Sequence, residues 1–117
     1  MGIDLTILAS SFRERRGEVL TNASIRLDRD QRLLSLLSKD ATPCLVSALP
    51  PGTKVGHYDD DGLKFDQNDR YGQPLTYSTP EQFRSLLSLN KTSEWNLAAI
   101  TFASSLPPNT RIILYWC

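Results

Sequence analysis

The run Ile112-Ile113-Leu114-Tyr115-Trp116 constrains the fold of this chain more than any other stretch. Five consecutive apolar or aromatic residues offer no polar face to water, so a strand made of them must be covered on both sides. The loop before it, Pro107-Pro108-Asn109-Thr110, stops a preceding helix, because proline lacks the N–H that a helix interior needs. A helix feeding a strand buried on both faces predicts an α+β fold: a mixed, mainly antiparallel sheet of about five or six strands, with two or three helices packed on it and the C-terminal strand central.

The rest of the chain supplies the other elements. Residues 3–12 are apolar and β-branched enough for a strand, and residues 18–27 return beside it after the polar turn 13–17. Asp28 with Gln31 three positions on has the form of a helix cap, and Leu33, Leu34, Leu36 and Leu37 form a wide apolar stripe on a helix expected over 29–38. Residues 44–49, closed by Pro50-Pro51-Gly52, and residues 54–58 read as short strands. Leu63-Lys64-Phe65 alternates like a half-buried strand, and residues 74–77 are expected to pair with it across the loop 67–72. Pro74, with no N–H to donate, belongs at an edge or a first position. Thr79-Pro80-Glu81-Gln82 carries a cap hydroxyl, a proline at the first helical position and a Gln to close a capping box, followed by Phe83, Leu86 and Leu87 on one face. A last helix, ending near Ser105, places Trp95, Ala99, Phe102 and Leu106 at helical spacing as its inner face.

A chain of 117 residues, 40% hydrophobic and 22% charged, is read as one globular domain over 1–117 with enough length for a real core. Thirteen acids balance thirteen bases, so there is no strong nucleic-acid signal, which would need a surplus of lysine and arginine against phosphates. Arg13, Arg15 and Arg16 around Glu14 read as a solvated hairpin tip. Cys44 and Cys117 make neither a disulfide framework nor metal-ligand spacing; Cys44 reads as a small core residue. With no secretory leader and no membrane span in the pattern, the expected location is cytoplasmic, with no membrane contact.

The chemistry concentrates in residues 55–77, which hold five aspartates, the sole histidine, an arginine and three tyrosines. Three readings fit this cluster. As a divalent-cation site it would use His57, Asp59, Asp61, Asp66 and Asp69, in a metal-dependent hydrolase or nuclease-like enzyme. Gly62 falls out of register for a calcium loop, however, and strand alternation separates Asp60 from Asp59 and Asp61. As plain turns, Asp59-Asp60-Asp61-Gly62 and Asp69-Arg70-Tyr71-Gly72 each join strands, although three consecutive aspartates exceed what a turn needs. As a recognition surface, Tyr58, Asp59, Asp60, Asp61, Asp66, Asp69, Arg70 and Tyr71 would meet a basic protein partner. No nucleophile motif, phosphate-binding loop or dinucleotide fingerprint is present. The favoured expectation is a small cytosolic binding or regulatory protein with no resident cofactor, contacting a macromolecular partner through the acidic, tyrosine-bearing hairpin region; the enzyme is the alternative.

Overall fold

The computed structural model of the chain describes residues 4–13, 17–88 and 92–117, apart from the side chains of residues 11–13 and 59. The basic group at 13–16 therefore lies outside the described residues, save the backbone of Arg13. Among the described residues seven strands form one sheet: β1 (Leu5–Arg13), β2 (Glu18–Arg26), β3 (Ser47–Ala48), β4 (Lys54–Asp59), β5 (Gly62–Asp66), β6 (Thr76–Ser78) and β7 (Arg111–Trp116). Their order across the sheet is β3-β6-β7-β1-β2-β4-β5. Only β2 and β4 run parallel; the other neighbours are antiparallel. The count exceeds the expected five or six because the short β3 and β6 both join the ladder.

Strand β7 lies inside the sheet, between β6 and β1, with β1 at the middle. Its apolar run divides between two cores, as burial on both faces requires. Ile112 and Leu114 point to one face with Leu5 and Ile7 of β1. There they meet α1 (Gln31–Leu36), α2 (Pro80–Arg84), the 3-10 turn Ser85–Ser88 and α3 (Glu94–Ser104) through Leu33, Phe83, Leu86, Ala99, Ile100 and Ala103. Fully burying each large apolar side chain of this set contributes about 1.5–3 kcal/mol. Ile113 points the other way and packs with Leu8, Val19, Val55 and Leu75. Val55 sits three strands from Ile113, so the sheet curls to bring them into one cluster.

Several local expectations are corrected. The cap of α1 is Asp30, whose side chain accepts from the Leu33 N–H, and not Asp28. Asp28 instead joins the start of α3: its N–H donates to Asn96 Oδ1 at 2.7 Å, its carbonyl accepts from Asn96 Nδ2 at 3.0 Å and its side chain accepts from Ser93 Oγ at 2.8 Å. This buried amide turns the inner face of α3, which consists of Asn96, Ala99, Ile100, Ala103 and Ser104. Trp95 and Phe102 are left exposed, and Trp95 Nε1 donates to the Arg26 carbonyl. Cys44 is exposed and not in the core, its thiol held by the Lys39 and Val46 carbonyls. The capping box of α2 forms as the Thr79–Gln82 spacing predicts.

The largest correction concerns 74–77. Strand β6 pairs with β7 and β3, not with β5. An isolated bridge between Asn68 and Pro74 and a bond from the Leu75 N–H to the Gln67 carbonyl close the intervening segment on itself as a loop. That loop, 67–75, joins β5 at one edge of the sheet to β6 on the other side of β1. On its way it passes the end of β7, where the Arg70 N–H donates to the Trp116 carbonyl.

Candidate functional site

The 55–77 cluster divides among three places. The first is the β4–β5 hairpin, where Asp59 pairs with Gly62 and Asp60 and Asp61 form the exposed tip. Gly62 takes a φ of 110°, a region that L side chains rarely adopt, and so spares both aspartates a positive φ. Tyr58, Leu63 and Phe65 share one face of this hairpin, since Tyr58 lies opposite Leu63 and Gly56 opposite Phe65. All three are open to solvent, at 75%, 47% and 42% exposure. The alternation at 63–65 thus sets an outward apolar face, not the half-buried one expected. The Phe65 ring lies over Gly56, and a Cβ there would stand 2.9 Å from Phe65 Cε1 and 3.1 Å from Leu20 Cδ2. Strand β5 is the last in the sheet order, so its outer edge pairs with no described strand.

The second place is the opposite face of the same hairpin. His57 Nε2 lies 2.6 Å from Asp66 Oδ2. An ionised carboxylate only accepts, so the imidazole N–H donates, which fixes the ring. That ring also tilts against Tyr115, with centroids 5.3 Å apart. Burial first, and then the nearby Asp66 charge, push the Tyr115 hydroxyl above its usual pKa. A cleft of about 350 Å³ opens here, lined among others by Thr6, Thr21, Ser24, His57, Arg70 and Tyr115.

The third place is the crossing loop. Asp69 Oδ1 accepts from the Tyr71 and Gln73 N–H groups, an Asx-type turn in which the carboxylate serves its own backbone. The Tyr71 hydroxyl donates to the Cys117 carbonyl at 3.0 Å. Asp69 and Tyr71 line a larger cavity of about 780 Å³ between this loop and α1, whereas Arg70 lines the smaller cleft. Of the residues expected to share a metal, the structure therefore brings His57 and Asp66 together. Asp61 is at the hairpin tip, about 16 Å up the strand from Asp66 at 3.3 Å per residue, and Asp69 is in the loop. Among the described residues no group of three or more His, Cys, Asp or Glu is arranged to hold a metal ion; the Asp59 side chain lies outside them.

Sequence reasoning passed over Leu63 and Phe65 as exposed features, and Thr6, Thr21 and Tyr115 as cleft residues. The signal for the first pair was their place in a short strand beside an acidic turn. For the cleft there was none, because it depends on the curl of the sheet and on a bulge in β2: Ala9 pairs with Ala23 but Ser10 with Thr21, leaving Asn22 as the extra residue. No family model, curated protein or solved structure matches the chain. Among the described residues no helix is long and apolar enough to cross a membrane.

Proposed function

We propose that the chain is a protein-binding module whose β4–β5 hairpin takes up an extended segment of a partner, one that alternates basic and apolar residues. The observation that carries this reading is the coincidence of three features on one hairpin: Tyr58, Leu63 and Phe65 exposed on a single face, Asp60 and Asp61 at the tip, and an outer β5 edge with no described strand beside it. A long apolar strand edge open to water is an aggregation hazard that proteins ordinarily cover or break up with charge. Here the hairpin keeps three large apolar side chains in solvent, as binding surfaces do. Strand addition supplies main-chain hydrogen bonds from the edge, while alternate side chains of the guest meet the apolar face. The tip aspartates favour a guest with a basic residue at that end and speed its encounter. Asp69, Tyr71 and Asp66 are occupied within the fold and take no part in this surface.

Selection from a display library of random ten-residue peptides tests the reading. The wild-type chain enriches sequences that alternate Lys or Arg with apolar residues, and a Leu63→Ser/Phe65→Ser variant enriches none. Equal enrichment by the two proteins sinks the proposal. An Asp60→Ala/Asp61→Ala variant retains the apolar preference and loses the basic one.

A further inference from the structure

The cleft beneath His57 lies on the face of the sheet away from the helices, and its lining has an unusual balance of polar groups. Thr6, lying opposite Tyr115, and Leu8, lying opposite Ser24, set the floor, and the β2 bulge carries Thr21 onto the same side as Ser10. Hydroxyls thus converge from three adjacent strands, β7, β1 and β2. His57 closes one wall from β4, and Arg70 reaches it from the crossing loop. Asp66, next to this wall, is engaged by the imidazole, and Asp69, whose charge also reaches Tyr115, accepts from the Tyr71 and Gln73 N–H groups. Arg70 has no ion-pair partner among the described residues, and its backbone is fixed by the bond to the Trp116 carbonyl. The cleft therefore holds hydrogen-bond donors and a guanidinium without an ion pair among the described residues.

One polar atom makes the point independently. Thr21 Oγ1 is out of solvent and has no hydrogen-bond partner among the described residues. A buried hydroxyl left in that state costs about 1–3 kcal/mol, and native structures seldom leave one so without a use. Thr21 is among the residues that line the cleft, so a guest seated there is one means of satisfying it. Tyr115, held protonated by its burial, is a donor as well at neutral pH. Arginine with several hydroxyls in a confined space is the chemistry that recognises an oxyanion, through charge-assisted bonds from the guanidinium and neutral ones from the alcohols.

We infer that the cleft between Thr6, Thr21, His57, Arg70 and Tyr115 binds a small oxyanion, the carboxylate or phosphate group of a ligand, with Arg70 as the counter-charge. Tyr58 also borders this cleft, whereas Leu63 and Phe65 do not line it and sit on the opposite face of the hairpin from His57, so the Leu63→Ser/Phe65→Ser variant leaves oxyanion binding intact and the two sites are tested separately.

Amide-resolved NMR titration of the full chain with inorganic phosphate, and in parallel with acetate, at constant ionic strength in chloride, tests it. Saturable shifts centred on Thr6, Thr21, Ser24 and His57 are expected with at least one of the two anions. Arg70→Gln weakens that binding at least tenfold; its side chain is exposed, so the variant folds. Thr21→Val weakens binding severalfold yet does not lower the melting temperature without anion, since it removes a hydroxyl that no protein group satisfies. Shifts that never saturate with either anion, or binding unchanged by Arg70→Gln, overturn the assignment.

Discussion

Asp4 shows how much one side chain organises at the start of the sheet. Its carboxylate accepts from Arg29 Nε at 2.7 Å and from Arg26, and its backbone exchanges both hydrogen bonds with Cys117. The hydrogen bond from Arg29 is the largest influence; with Arg26 and both positive charges it outweighs burial and holds the Asp4 pKa at about 2, against 3.8 for a free carboxyl. The folded state thus keeps this charge to lower pH than the unfolded chain does. The stability it contributes is fully present above about pH 4 and disappears as pH falls through about 2. In urea titrations the gap between wild type and Asp4→Asn accordingly narrows from pH 4 to pH 2, and a constant gap would show that the ion pairs are not the source. Asn96 is the second such residue. Fully buried, it satisfies the N–H and carbonyl of Asp28 with its one amide, so Asn96→Ala leaves both without a partner and lowers stability by about 2–4 kcal/mol, measurable by denaturant unfolding. Neither role was legible in the chain. Asp4 falls within residues expected only as an apolar strand, and Asn96 follows Trp95, which helical spacing placed on the inner face in its stead.

At the scale of elements, those set by local chemistry were legible and those set by distant partners were not. The Thr79-Pro80-Glu81-Gln82 start of α2, the β1–β2 hairpin and β7 all follow from propensity and capping, which act within a few residues. The β4–β5 hairpin was legible as a hairpin, but its exposed apolar face was not, because alternation names two faces without saying which is covered. Gly56 offers a direct probe of that face. Gly56→Ala puts a Cβ 2.9 Å from the Phe65 ring and drives the ring outward, while Leu20 yields only a few tenths of an ångström. The displaced atoms end an exposed side chain, so the loss of stability is modest, about 1 kcal/mol as for strained small-to-large changes at their mildest. Peptide affinity, by contrast, falls severalfold in the same variant. Unaltered affinity, measured by isothermal titration of a selected peptide, would place the contact away from Phe65.

The whole molecule is organised by one long connection. Because the loop 67–75 carries the chain from β5 past the end of β7 to β6, the 55–77 cluster, continuous in sequence, is dispersed in space. Its hairpin tip faces outward, its histidine and arginine meet over a cleft, and its tyrosine 71 lies on the far side against a second cavity. The sequence divides these aspartates between two turns yet leaves open whether they meet in space, because sequence distance cannot report a crossover and nothing local to 67–75 marks β7 as the strand it will reach. What the dispersal leaves on the open edge is the pairing of apolar face and acidic tip on which the binding role rests. Hydrogen exchange on the amides of Leu63, Lys64, Phe65 and Asp66, with and without a peptide selected by the wild-type chain, tests that role most directly. Strand addition predicts that the amides of β5 turned away from β4 gain protection on binding while the loop 67–75 does not change. Protection that rises in the loop, with β5 exchanging as in the free protein, would contradict it.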